Sequence, residues 1–186
     1  QDTVDNITGA SVGETNTLRF GAGVRAGQLY AAQSGADLLL SYNAPGTDRL
    51  TLTGWFGSNS ALARQVTIGT SDAPVMQLVG PGTAGTAAAE MFVGSSAADS
   101  IVTGGGADWI TPSGGNDTVI GGTARETVFY AGPRSSYSIA HSGGAVTVSD
   151  MDGAANGGND GVDTLTSIAR LKFSDTIVSL VPRSDF

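Results

Sequence analysis

A nine-residue period running from Gly85 to Phe129 constrains this chain more than any other feature. In steps of nine, the blocks are GTAAAEMFV (85–93), GSSAADSIV (94–102), TGGGADWIT (103–111), PSGGNDTVI (112–120) and GGTARETVF (121–129). The sixth position is always acidic: Glu90, Asp99, Asp108, Asp117 and Glu126. The eighth is always large and apolar: Phe92, Ile101, Ile110, Val119 and Val128. Small residues fill most of the first four positions. So short a period holds one tight turn and one short strand. A unit of that size cannot bury its apolar residue alone, so successive units must stack. Within each strand the eighth residue points inward and its neighbours point outward.

Composition agrees with many short strands. The 28 glycines among 186 residues serve turns and would weaken long helices. They are not spaced every third residue, which excludes collagen. An apolar content of 40% opposes plain disorder. The net charge of −8, from 17 acids against nine bases, disfavours nucleic acid and anionic membranes. Clustered acids suit divalent cations instead. There is no cysteine, so neither a disulfide nor a thiolate metal site can form. A bound metal is then a reasonable stabiliser. No apolar run approaches the roughly 18 residues of a membrane span. We expect no signal peptide at the start. Gln1-Asp2-Thr3-Val4 reads as the tail of a repeat, as in a segment cut from a larger protein.

The blocks resemble the RTX (repeats-in-toxin) nonapeptide G-G-x-G-x-D-x-U-x of the haemolysin-type calcium-binding family, where U is large and apolar. The resemblance implies an all-β protein whose centre is a parallel β-roll, a β-solenoid with two nonapeptides per coil. Turns on one side then come from blocks two apart. It also implies Ca2+ held between stacked turns, since calcium takes six to eight oxygens and glycine-rich turns can point carbonyls inward. On this scheme Asp99 and Asp117 share a site on one side. Asp108 faces Glu90 and Glu126 on the other. Carbonyls of the first four turn positions complete the cages, as in Gly94, Ser96, Gly106, Ser113 and Gly115. The departures are Glu90 and Glu126 in place of aspartate, and only TGGGAD and PSGGND come close to the consensus turn. One or two ions are expected, best at Asp99/Asp117. The competing reading is a degenerate solenoid that stacks without metal.

Two flanking regions complete the organisation. Residues 1–84 are read as a β-rich module, 85–129 as the roll, and 130–186 as a C-terminal hairpin and cap. Residues 16–56 resemble the haemolysin-type calcium-binding-related module at Leu18, Phe20-Gly21, Gly23, Leu29, Asp37-Leu38, Asp48 and Trp55-Phe56. They read as an antiparallel meander with strands near 28–33, 37–43 and 48–54, and turns at Ser34-Gly35 and Pro45-Gly46-Thr47. The stretch 57–84 offers strand-like pieces at 65–68 and 75–79. Segments 136–140 and 145–149 flank His141-Ser142-Gly143-Gly144 as a hairpin. Asp163 to Asp175 is similar to a segment that closes RTX rolls, with Ala169 where glutamate is usual. There Ile168, Leu171 and Phe173 would seal the core end.

Other candidate sites are weaker. The block GNDGVDTLT (158–166) repeats the pattern through Gly161, Asp163 and Leu165 but stands isolated, without an obvious partner turn. Asp150-Met151-Asp152-Gly153 reads equally as the start of a calcium loop or as a polar turn. His141 has no partner pattern for zinc or general-base chemistry. No nucleophile elbow or phosphate-binding lysine motif is present. The nine-residue register explains the paired acids better than a glycosidase dyad does. Trp55 and Phe56 read as core. Trp109 points outward, towards a sugar, a partner domain or a covering hairpin. The tail Leu180-Val181-Pro182-Arg183-Ser184 resembles a thrombin cleavage site and also reads as native. Its final Ser184-Asp185-Phe186 is similar to the ends of type I secretion substrates.

The implied function is a non-catalytic, secreted, extracellular or cell-surface segment. It would stay unfolded in the low calcium of the cytosol and fold on calcium outside. It would serve a surface or adhesive protein, with neighbouring domains, a cell surface or a polysaccharide as further partners. The alternatives are the secretion-and-folding module of an exported enzyme (protease, lipase, peroxidase or epimerase) and a carbohydrate-binding module.

Overall fold

The computed structural model describes residues 2–4, 16–20, 23–42, 49–57, 66–70, 76–153 and 159–180. The protein is all-β, with three sheets, none closed, and no α-helix among the described residues. No helix there is long and apolar enough to cross a membrane.

Each nonapeptide places its last three or four residues in a strand. These are β8 (Glu90–Val93), β9 (Ser100–Val102), β10 (Trp109–Thr111), β11 (Thr118–Ile120) and β12 (Thr127–Phe129). Successive strands alternate between two sheets. β8, β10 and β12 pair in parallel on one, and β9 and β11 pair in parallel on the other. Partners therefore come from blocks two apart, as in Ile110↔Val128 and Val119↔Ile101. The eighth residues Phe92, Ile101, Ile110, Val119 and Val128 are all buried and form one core between the sheets. On β9 and β11 their neighbours Ser100, Val102, Thr118 and Ile120 are exposed, which is the strand alternation expected from sequence; on β8 and β12 the neighbours Met91, Val93, Thr127 and Phe129 are buried as well, Met91 and Val93 in a second core on the outer side of that sheet.

The chain leaves this stack after β12 and returns to it. Strands β13 (Tyr137–Ser142) and β14 (Ala145–Asp150) form a hairpin closed by Gly143-Gly144. His141 and Ser142 thus belong to a strand rather than to the turn expected from sequence, because the two glycines alone supply the left-handed geometry that a two-residue loop needs. β15 (Val162–Thr166) then pairs in parallel with β11 and antiparallel with β14. The block 158–166, isolated in sequence, therefore has a partner in block 112–120. β16 (Arg170–Lys172) pairs in parallel with β12, and β17 (Ile177–Ser179) closes that edge antiparallel. Ile168, Leu171 and Phe173 are buried in the same core.

The N-terminal meander consists of β3 (Leu29–Ser34), β4 (Asp37–Tyr42) and β5 (Arg49–Leu52), with β1 (Asp2–Val4) parallel to β5. β2 (Asn16–Arg19), β6 (Val66–Gly69) and β7 (Met76–Val79) extend the larger sheet, with β7 parallel to β8. That eight-stranded sheet draws strands from all three stretches of the chain. A second core, including Leu38, Leu40, Leu52, Trp55, Ile68 and Leu78, lies under the meander. Trp109 packs onto it half-buried, with its ring against Gly27 and 5.4 Å from the Phe129 ring. It is covered by the chain leading into β3. The positions Gly21, Asp48, the 45–47 turn and the 181–186 tail lie outside the described residues.

Candidate metal centre

The turns stack in the same two columns as the strands. On one side stand 85–90, 103–108 and 121–126. On the other stand 94–99, 112–117 and 159–163. The backbones nearly touch: a Cβ on Gly94 would collide with the Pro112 carbonyl, one on Gly106 with that of Ala88, and one on Gly115 with that of Ala97. Gly161 abuts the Gly115 carbonyl in the same way. The absence of a side chain at these glycines is therefore a packing requirement.

The acids line each column. The Glu90 amide donates to Asp108 Oδ1 (2.9 Å), and the Asp99 amide donates to Asp117 Oδ1 (2.7 Å), both across 18 residues. The Asp117 amide donates to Asp163 Oδ1 (2.9 Å) across 46 residues, which carries the ladder over the hairpin excursion. Asp99 and Asp117 are thus neighbours in one column, and Glu90 and Asp108 in the other.

The five turns fall into two kinds. In 85–90, 94–99 and 121–126 the sixth-position acid accepts the second-position amide of its own turn. The donors are Thr86 to Glu90 Oε2 (2.8 Å), Ser95 to Asp99 Oδ2 (2.6 Å) and Gly122 to Glu126 Oε1 (3.1 Å). The Thr86 and Ser95 hydroxyls donate to the same carboxylates. The turns 103–108 and 112–117 instead adopt left-handed backbone at their second and fourth positions. There φ is +78° at Gly104, +86° at Gly106, +72° at Ser113 and +112° at Gly115. Serine at such an angle is uncommon and costs about 1–2 kcal/mol. In these two turns Asp108 Oδ2, Asp117 Oδ2 and the Ser113 hydroxyl are buried without a hydrogen-bond partner; so is Glu126 Oε2 in turn 121–126, whose other oxygen accepts the Gly122 amide.

Burial without a counter-charge has an electrostatic consequence. Desolvation pushes the Asp108 carboxyl up to about 6, and the charges of Glu90 and Glu126 add to it. The Glu90 amide and the nearby Thr103 hydroxyl pull the other way. Desolvation likewise holds Asp117 at about 6, with the Asp99 and Asp160 charges adding and the Asp99 amide opposing.

The far turn is built differently. Desolvation lifts Asp163 to about 7 and Asp160 to about 6. Tyr130 donates its hydroxyl to Asp163 Oδ2 (2.9 Å), and Tyr137 donates its hydroxyl to Asp160 Oδ2. Both phenols are held above their ordinary range, chiefly by burial, and remain donors. Asp160 and these two tyrosines were not singled out from sequence. The signal available was the third position of block 158–166. Asp150 Oδ1 accepts the amides of Asp152 and Gly153, its Oδ2 accepts that of Asp160, and Ser136 donates to Asp152. These bonds close a turn on the Asp150 carboxylate and join it to the far turn.

The remaining expected ligands are placed as follows. Gly94 is buried beneath Pro112, while Ser96 is exposed and its amide donates to Gln33 Oε1. Among the described residues no three His, Cys, Asp or Glu side chains gather closely enough to hold a metal by themselves. A cation here would therefore draw on turn carbonyls as well as on the orphan carboxylate oxygens, a hard-oxygen donor set that suits calcium. In comparisons with known proteins, no family model and no curated protein matches this chain.

Proposed function

We propose that this is a calcium-binding RTX-type β-roll segment of a secreted bacterial protein, in which the two parallel stacks form the faces of a solenoid. One observation carries the reading. The two turns nearest the nonapeptide consensus are the two with left-handed backbone at positions two and four, and each leaves a buried aspartate oxygen unpaired. A buried polar group without a partner costs about 1–3 kcal/mol, and more when charged. A cation beside Asp108 and Glu126, and another beside Asp117, would remove that cost. In the other turns Glu90 and Asp99 already satisfy local amides, so Asp117 rather than Asp99 dominates its side.

Function then follows by linkage. Calcium binding only the folded stack adds RT ln(1 + [Ca]/Kd), about 2.7 kcal/mol per site at 100 times Kd. Against a typical total of about 5–15 kcal/mol, that separates a weakly folded chain in low calcium from a stable one outside the cell. The segment would then act as a non-catalytic scaffold joining domains of a surface or adhesive protein.

The test is thermal unfolding followed by circular dichroism in metal-depleted buffer, in calcium and in magnesium. A calcium-specific rise in Tm that shrinks in Asp117→Asn and in Asp108→Asn is expected. Equal stability in all three buffers, with metal content checked on the protein, would refute the calcium reading.

A further inference from the structure

A cavity of about 110 Å³ lies on the outer face of the larger sheet. Gly27, Trp109, Thr127, Arg170, Lys172 and Ile177 are the described residues that line it. The strand register explains this set. Ile110, Val128 and Leu171 point into the core, so their neighbours along each strand point outward. Trp109, Thr127 and Arg170 then stand in one row across β10, β12 and β16. Phe129, Lys172 and Ile177 stand in the next row across β12, β16 and β17. Thr127 is buried and Ile177 is 59% exposed, so the cavity runs from the sheet out to solvent.

Two of the chain's nine basic residues meet here, in a protein of net charge −8. Among the described residues neither Arg170 nor Lys172 has a carboxylate partner. The Lys172 ammonium donates to the Gly27 carbonyl and lies over the Tyr30 and Phe129 rings. Burial lowers its pKa, a shift that an acid beside it would oppose. The Arg170 Nε is buried with no acceptor. Partly desolvated cations without a counter-charge are unfavourable, and an anion from outside the chain would relieve them.

The walls select the anion. At about 110 Å³ the cavity is smaller than whole-ligand pockets of about 300–1,000 Å³, so it suits a head group. Indole, glycine and isoleucine surface is apolar, and a doubly charged tetrahedral oxyanion would set its second charge against it. A carboxylate is planar, carries one charge and matches the guanidinium fork. We propose that this cavity binds the carboxylate group of a small organic acid or an acidic sugar, held by Arg170 and Lys172, with the carbon skeleton along Trp109. None of its described lining residues is a candidate calcium ligand, so the site does not rest on the calcium reading.

The test is calorimetry on the folded, unsubstituted chain at constant ionic strength. Acetate, benzoate and glucuronate are the carboxylates, benzamide is the neutral control and sulfate the tetrahedral one. Trp109 emission in Trp55→Phe, where it is the only tryptophan, reports whether the ligand reaches the cavity. A saturable response to at least one carboxylate and none to benzamide is expected. Acetate or benzoate ahead of glucuronate identifies a free organic acid, and the reverse order an acidic sugar. Arg170→Gln should weaken binding at least tenfold, or about 1.4 kcal/mol. Ile177→Glu is the second variant. Ile177 is exposed and opposite Lys172, so the change spares the core and brings a tethered carboxylate to the cavity. It should abolish the response to added acid, and it decides alone if Arg170→Gln fails to fold. No saturable response to any carboxylate at millimolar concentration overturns the proposal. So does sulfate binding more tightly than every carboxylate, or binding that both variants leave unchanged.

Discussion

At the scale of single residues, the turn positions set what each block tolerates. Gly106 combines a left-handed φ of +86° with backbone of the neighbouring turn where a side chain would sit. We expect Gly106→Ala to cost more than about 2 kcal/mol in urea unfolding, since left-handed strain alone accounts for about 1–2 kcal/mol. Ser113 occupies the equivalent of Gly104 with φ +72° and an orphaned hydroxyl, so Ser113→Gly should raise stability by about 1 kcal/mol in the same assay. The carboxylates make the metal-free fold sensitive to pH. The folded-state values of Asp108, Asp117, Asp160 and Asp163 are raised to about 6, 6, 6 and 7, from an ordinary 3.8. A raised carboxyl binds its proton more tightly in the folded state. Its contribution is therefore fully present below the unfolded value and is lost as pH rises through the folded one. In metal-depleted buffer, Tm should fall as pH climbs from about 4 to about 7. Added calcium should remove most of that fall at the upper end. A Tm that rises over this interval without metal would contradict the desolvated state of these acids.

At the scale of elements, each strand of the stack has an inner and an outer face with different tolerances. Ile110 is fully buried at the centre of the inner column. Ile110→Ala should cost about 2–5 kcal/mol, the usual range for such a deletion in a packed core. Ile120 is 41% exposed on the outer face of β11. Ile120→Thr should change stability by less than about 0.5 kcal/mol while keeping strand propensity. Denaturant midpoints of the two variants decide between this alternation and its mirror. The result also fixes the register, since a shift by one residue exchanges the faces.

At the scale of the whole molecule, the chain's single lysine ties its two ends together. The Lys172 ammonium on β16 donates to the Gly27 carbonyl and lies 4.8 Å from the Tyr30 ring centre and 5.1 Å from that of Phe129. Burial lowers its pKa. Lys172→Met keeps the stem but removes the charge. We expect it to cost about 1–2 kcal/mol and to shift Trp109 emission to the red as the 26–28 turn loosens. Emission spectra of the Trp55→Phe background isolate that signal.

The sequence by itself determined the strand spacing, the inward apolar positions and the acid at every sixth place. All of these repeat locally, and a nine-residue period admits only one alternation of faces. Tertiary structure decided what local pattern could not carry. Block 158–166 joins block 112–120 across the β13–β14 hairpin through an edge far away in sequence, while its strand also pairs with β14 beside it. The meander contributes the chain that covers Trp109, and β7 attaches to β8, through pairings that leave no periodic trace. The division between acids that accept their own turn's amide and acids that do not also arose only in three dimensions. All five blocks carry the same type of charge at position six, but whether a carboxylate meets its own turn's amide depends on the backbone handedness two and four positions into the turn. That handedness becomes visible only once the turns are stacked.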